Sequence, residues 1–410
     1  MAKRVAGLDG LRGLAALYVM LFHAWLLSFK HFPHNTGPAY LTWAMYGRLS
    51  VVFFLALSGF SLALGPAGNQ WRLGNRRRLG NVARFLRRRA WRILPAYWAA
   101  LAFSLVIAYH VPASHKGEPT HKSIAVFGLL LQDVFWAKTP NGAFWSVAVE
   151  AELYLLFPLL LFIRRRLGVV LLLAAVTVPV IVYGAVQGVP AEGDTGLTPH
   201  LAPVFAAGIA AAGIRAKLPW HWLAPAAILP VLFVIHFKGS YWTAHHYFWI
   251  DLAITPGLTM LILAVANGRL SWTRRLDGLG KISYSLYLIH LPILTVLAKK
   301  VAPHYAEKGP HTWIFVVVVG FPISLVAAWL FAQVFELPFQ RHRSWRALAA
   351  AVRSGPRRSP APPAATGHDP AGNRPRYPGA DAPSPAEEAA GTPLPPAHRR
   401  TSDGFDLSRP

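Results

Sequence analysis

Apolar runs long enough to cross a bilayer recur ten times along the chain, at roughly 11–29, 46–64, 91–109, 144–163, 167–187, 199–214, 220–237, 247–266, 282–300 and 312–335. Short polar segments separate them. No single soluble core buries so many separate runs, so the pattern predicts an all-α polytopic membrane protein, with about ten transmembrane helices in one bundle. A shorter apolar piece, "IAVFGLLLQDVFWA", precedes the fourth run and predicts an interfacial or re-entrant segment. The first run holds Arg12 and His23 and lacks a small-residue cleavage site, so it reads as a transmembrane helix and not as a cleaved signal peptide. After Trp345 the chain turns to Pro, Ala, Gly, Arg and Ser. This composition predicts a membrane domain over residues 1–345 and a disordered cytoplasmic tail over 346–410.

Composition agrees: 54% of the 410 residues are hydrophobic and only 14% are charged. The net charge of +24 raises the question of nucleic acid, but its location points elsewhere. Lys3, Arg4, the run from Arg72 to Arg92, Arg164 to Arg166, Arg215, Lys217, the run from Arg269 to Lys281, and Arg341 onward fall on alternate loops. The opposite loops hold only scattered Lys: Lys30, Lys116, Lys122, Lys138, Lys238, Lys299, Lys300 and Lys308. By the positive-inside rule, both termini are expected in the cytoplasm of a plasma or inner membrane, and lipid is the expected partner of the basic loops. With no Cys, disulfides, thiolate nucleophiles and Cys-ligated metals are excluded, and no metal site is expected.

Ionisable groups within apolar runs point to a protein interior or a wet cavity. In "GLDGLRGLAALYVMLFHAW", eleven helical steps return His23 to within roughly 20° of Arg12, about 16 Å away along the axis. One long ligand touching both would explain the spacing. The third run opens "ARFLRRRAWRILPAYW", where Arg84, Arg88 and Arg92 recur every four residues; an ordinary positive-inside cluster accounts for the same stripe. In "NGAFWSVAVEAELYLLFP", Ser146, Glu150 and Tyr154 share a face, and Glu150 is expected at a depth that meets His23. In "GKISYSLYLIHLPIL", Ser283, Tyr287 and His290 share a face, although a packing histidine is the plainer reading of His290. Ser58 and Gly59 in "FFLALSGFSLAL" allow close helix approach. Tyr241, Trp242 and Trp313 suit either sugar stacking or an interfacial belt.

Taken together, these segments resemble acyltransferase family 3, the integral membrane O-acyltransferases of surface polysaccharides, lipid-linked sugars and some secondary metabolites. The matching pieces are "LDGLRGLAALYVMLFH", "FFLALSGF", "FLRRRAWRILPAYW", "FWSVAVEAELYLLFP", "KISYSLYLIHLPI" and "FELPFQ", in the family's order over nearly all of residues 5–345. The resemblance implies an acyl-CoA donor, acetyl-CoA foremost, used as a substrate and not bound permanently, and a sugar hydroxyl as acceptor. Arg12 and His23 match the family's essential pair, Arg89 and Arg92 its basic motif, and Glu150 its acidic residue. Ala151 and Glu152 stand where the family often has a second Glu and then Gln or His. No appended soluble hydrolase-like domain is expected.

On this reading Arg12, with Arg88, Arg89 and Arg92, holds the phosphates of CoA. His23 is the general base and Glu150 orients its ring. Asp9, Ser58, Tyr97, Ser146, Tyr154, Ser283, Tyr287 and His290 are candidate supporting residues, with Ser58, Ser283 and Tyr287 as possible oxyanion donors. An acyl-enzyme relay is the alternative to direct transfer. Intramembrane Arg, His and Glu also describe an ion-coupled carrier, although no second copy of the Arg-to-His segment marks an internal repeat. A membrane anchor with a basic tail would leave His23 and Glu150 unexplained.

Overall fold

The computed structural model describes residues 5–64, 77–111, 118–187, 197–214, 218–307, 309–342 and 344–353. Residues Met1–Gly355 form one compact unit. Lys3, Arg4, Arg72 to Arg76, Lys116, Arg215, Lys217, Lys308 and the expected tail from 354 onward lie outside the described residues.

The described chain is helical. Its elements are α1 (Leu8–Ser28), α2 (Leu49–Leu64, entered through a 3₁₀ segment, Ala39–Tyr46), α3 (Arg77–His110), α4 (His121–Gly128), α5 (Trp145–Gln187), α6 (Leu201–Ala211), α7 (Trp220–His245), α8 (Tyr247–Ala266), the short α9 (Asp277–Lys281), α10 (Ser283–Val296, continued by a π turn and a 3₁₀ turn to His304), α11 (Pro310–Arg341, with π turns at Val316–Gly320 and Ala332–Glu336) and α12 (Trp345–Arg353). Eight of these, α2 counted with its 3₁₀ lead-in, are long and apolar enough to cross a membrane, which makes this a multi-pass membrane protein.

Eight is fewer than the ten spans expected, for two physical reasons. The fourth and fifth runs form one element, α5, whose 43 residues would extend about 64 Å if straight, twice the hydrocarbon thickness. It breaks at Gly168, whose φ of 87° suits a residue without a Cβ, just after the basic triplet Arg164–Arg166. The sixth run is α6, whose 11 residues rise only about 16 Å, too short to span alone. The apolar piece before the fourth run becomes α4 and a succession of turns, in keeping with a segment that does not span. At the other end, α12 carries helix into the first residues of the segment expected to be disordered. Its Ala-rich "RALAAAVR" favours helix, and the Pro-rich composition takes over only afterwards.

The bundle has an inner and an outer set. In α2, 72% of the most apolar stretch is buried inside the protein, and in α8 and α10 67%, against 17% in α5 and α7, which leave most of their apolar surface for lipid. The short α6 is packed deepest of all: Leu201, Val204, Phe205 and Ile209 are fully buried between α2, α5 and α8. It meets α2 backbone to backbone. A Cβ on Gly208 would fall 1.9 Å from the Ala56 carbonyl oxygen, and one on Gly59 would fall 2.2 Å from that of Phe205.

The N-terminus of α1 is held from far along the chain. The Asp277 carboxylate, at the start of α9, accepts the Gly7 N–H at 3.1 and 3.2 Å and the Gly10 N–H at 2.8 Å. It satisfies donors that the helix itself leaves unpaired. α1 then runs inward against α2, α8 and α10.

Because Gly208 has no room for a side chain, Gly208→Ala is expected to destabilise the purified protein by about 1–3 kcal/mol. A thermal scan in detergent checks this, and an unchanged midpoint would show that α2 and α6 do not rest on this contact.

Candidate active site

Six of the longer helices enclose a cavity of about 660 Å³. α1 contributes Asp9 and Arg12, α2 Ser58, α3 Arg89 and Arg92, α5 Ser146, Glu150 and Tyr154, and α10 Ser283, Tyr284 and Tyr287, with Lys281 beside them and Glu336, Gln340 and Arg341 from α11. One volume therefore joins six segments of the chain.

Its basic end gathers Arg12, Arg89, Arg92, Lys281 and Arg341. Arg12 is steadied by Asp9 one turn back, Nη1 to Oδ1 at 2.8 Å, with both side chains about a quarter exposed. The Arg89 guanidinium lies over the rings of Phe85 and Tyr154, 5.6 Å from each centroid. Arg92 is three residues on, so Arg89 and Arg92 share a face. Of the expected stripe through Arg84, Arg88 and Arg92, only Arg92 lines the cavity: Arg84 and Arg88 are exposed and lie outside its wall, because the cavity meets α3 along its i, i+3 edge.

Further in, Glu150 Oε1 accepts the Ser58 hydroxyl at 3.1 Å and the Tyr154 hydroxyl, and Ser58 and Tyr154 are themselves 3.1 Å apart. This closed triangle fixes the carboxylate against α2. Beyond it, the Tyr287 hydroxyl donates to the Ala143 carbonyl at 3.0 Å, and the Ser146 hydroxyl stands 2.5 Å from it. Ser283 also faces the cavity, with its hydroxyl donating to the Gly280 carbonyl at 2.8 Å. Tyr97 does not: it is buried behind the wall, where its hydroxyl donates to the Phe127 carbonyl at 2.8 Å and accepts from Gln132.

His23 is buried past the end of this cavity and is not in its wall. Its Nδ1 lies 2.9 Å from Nε2 of His290, which is fully buried, and the two rings are 4.9 Å apart. The Tyr287 ring is 5.9 Å from that of His290. The expected pairing of Glu150 with His23 is thus replaced by two separate layers. Glu150 bonds Ser58 and Tyr154 on the Arg12 side, and His23 bonds His290 beyond Tyr287. α1 runs as helix through both Arg12 and His23, whereas α5 sets the Glu150 carboxylate against Ser58 and Tyr154, away from the His23–His290 pair.

The His23 end also holds an ion cluster. Gly47 packs against Tyr18 and Phe22, which sets the adjoining Arg48 at that level. Arg48 Nη1 is 2.6 Å from Oδ2 of the fully buried Asp251, and His200 Nε2 is 3.2 Å from the same oxygen. The Arg48 guanidinium also covers the rings of Tyr247, at 4.2 Å, and Trp145, at 5.4 Å. Nearby, Asp133 accepts from the Thr198 N–H at 3.1 Å. Burial raises the Asp133 carboxyl above the ordinary carboxylate range, and the Thr198 hydrogen bonds oppose the shift.

Sequence reasoning passed over Arg48, Asp251 and His200, although each begins or interrupts an expected apolar run. The rule that singled out His23, an ionisable group in hydrocarbon, applies to them equally. Glu336 was also missed. Buried in the "FELPFQ" stretch, it accepts the Ser285 N–H at 3.2 Å, the Ser285 hydroxyl at 2.5 Å and the Gln340 amide at 2.8 Å, and so joins α11 to the start of α10.

A family model described as "Acyltransferase domain", that of acyltransferase family 3, matches residues 5–333. The chain belongs to this family. It is a membrane acyltransferase, which sets it with acyl-transfer enzymes and apart from ion-coupled carriers and passive anchors. The match covers α1 through most of α11 and ends just before Glu336. No curated protein and no solved structure gives a significant match.

Replacing Asp251 by Ala takes the carboxylate from a buried Arg48, and is expected to cost about 3–5 kcal/mol. Asp9→Ala breaks a part-exposed pair and is expected to cost about 1 kcal/mol or less. Thermal unfolding of the two variants side by side checks the contrast.

Proposed function

We propose that this protein moves an acetyl or other short acyl group from acyl-CoA to a hydroxyl of a sugar-containing acceptor, in the membrane of a bacterial cell. The observation that carries the reading is the cavity itself. A basic mouth with Arg12, Arg89, Arg92, Lys281 and Arg341 suits the phosphates of a nucleotide-bearing donor, and an interior where Ser58, Ser146 and Tyr287 alternate with apolar side chains such as Phe54 and Leu55 suits an amide-bearing aliphatic arm. Family membership supplies acyl transfer, and CoA is the acyl donor whose charge and length this shape favours. Arg88 has no part in holding it. The mouth is cytoplasmic by the distribution of basic loops.

In this mechanism the donor lies along α1 with its phosphates at the arginines and its thioester near Tyr287 and Ser146. The acceptor hydroxyl approaches from the His23 side. His23 takes the hydroxyl proton as the oxygen attacks the thioester carbonyl carbon, giving a tetrahedral oxyanion. The Tyr287 hydroxyl, turning from the Ala143 carbonyl, and the Ser146 hydroxyl beside it supply hydrogen bonds to that oxyanion. Collapse of the intermediate breaks the carbon–sulfur bond, and the departing thiolate receives from His23 the proton that came from the acceptor hydroxyl. Glu150, bound to Ser58 and Tyr154, balances the charge of the arginines above the arm and does not touch the base. Binding energy from the phosphates, remote from the reacting carbon, holds the thioester in place for attack.

The test is CoA release from acetyl-CoA by purified protein or membranes with a panel of glycosyl acceptors. His23→Ala is expected to lower kcat by about 10²–10⁴. Arg12→Ala and Arg89→Ala are expected to raise the KM for acetyl-CoA with a smaller effect on kcat, whereas Arg88→Ala leaves both unchanged. Acetyl-CoA is expected to raise the thermal midpoint of the wild type, and less so that of Arg89→Ala. A folded wild type that neither binds nor turns over any acyl-CoA would overturn the donor assignment.

A further inference from the structure

We infer that His290 is a positioning residue that locks His23 into a single tautomer, with its proton on Nδ1 and a bare lone pair on Nε2. The inference rests on the proposed role of His23 as base and specifies which of its nitrogens does the work.

Two main-chain carbonyl groups set the proton on His290. His290 Nδ1 lies 3.0 Å from the Leu286 oxygen and 2.9 Å from the Tyr287 oxygen. A carbonyl oxygen only accepts, so Nδ1 of His290 carries a hydrogen. In a neutral imidazole the other nitrogen is then an acceptor, and Nε2 of His290 presents a lone pair. At 2.9 Å from it, Nδ1 of His23 must be the donor. Nε2 of His23 is left unprotonated.

Both rings are buried, and a second proton on either has no carboxylate within this pair to balance it. The resting pair is therefore neutral. When His23 Nε2 takes a proton from a substrate hydroxyl, the new charge is met across the Nδ1–H bond by the lone pair of His290. The arrangement does with a neutral ring what a carboxylate does in a Ser-His-Asp triad: it fixes the tautomer and the orientation of the base. The orienting ring is itself fixed by main-chain oxygens of α10, so the polarity of the pair follows from the backbone.

Nitrogen-15 spectra of histidine-labelled protein, with the His23 signals assigned by their loss in His23→Ala, read the tautomer directly. In the wild type, Nδ1 of His23 is expected to be protonated and Nε2 bare. His290→Gln keeps an amide oxygen at the place of Nε2; it is expected to retain this tautomer and to lower kcat only a few-fold. His290→Leu removes the acceptor; it is expected to shift His23 toward the opposite tautomer and to lower kcat by roughly 10–100-fold, with the KM for acetyl-CoA unchanged. Should His290→Leu fail to fold, His290→Asn, whose amide is too short to reach His23, takes its place in the comparison with His290→Gln. A proton on Nε2 of wild-type His23, or variants without the acceptor that keep both tautomer and kcat, would overturn the inference. The spectra need no turnover. If His23→Ala releases CoA at the wild-type rate, the role of His23 in acyl transfer fails while the tautomer lock is judged on the spectra alone.

Discussion

Hydrocarbon offers no hydrogen bonds, and every other feature of this protein is arranged around that fact. Eight long helices satisfy their own backbones, but each ionisable side chain within them needs a partner inside the protein. The solutions differ with depth. Near one end, Asp9 steadies Arg12 beside a wet cavity that the other cations share. In the middle, Glu150 is enclosed by Ser58 and Tyr154. Past the cavity, two neutral imidazoles satisfy each other, and at the same end of α1 an arginine, a histidine and aromatic rings converge on Asp251. Charge is tolerated where water reaches and is paired or withheld where it does not.

The same constraint sorts the helices. α2, α8 and α10 sit deepest, whereas α5, α7 and α11 turn mostly apolar faces outward and α5 and α11 lend the cavity only one polar edge each. The cavity opens among helices held by backbone contacts such as the Gly59–Gly208 approach. Small movements of its lining would be transmitted through backbone and not absorbed by flexible side chains.

Much of this was legible in the sequence, and for definite reasons. Run length and composition show a helical membrane bundle because lipid permits few alternatives. The i, i+4 spacing put Ser146, Glu150 and Tyr154 on one wall, and all three line the cavity. What the pattern could not show was depth and partner. Helical phase says that His23 and Arg12 share a face of α1, but not where α5 is set along it, and the expected contact between Glu150 and His23 was lost through that one offset. Gly168 joins two runs into one element, and α6 is too short to span; both depend on backbone geometry that hydropathy does not record. Arg48, Asp251 and Glu336 were visible as charges in apolar surroundings, yet each becomes informative only once a distant segment supplies its counterpart.

The cap on α1 has a consequence for the making of the protein. Gly7 and Gly10 donate to a carboxylate 270 and 267 residues further on. During synthesis α1 therefore enters the bilayer with its first turn unsecured, and the ribosome must finish most of the membrane domain before Asp277 arrives to hold it. Arg12 is two residues beyond the last capped amide. The Arg12 end of α1 thus acquires its final register late, and a truncated product lacking residues from Asp277 onward carries the opening motif without the means to set it.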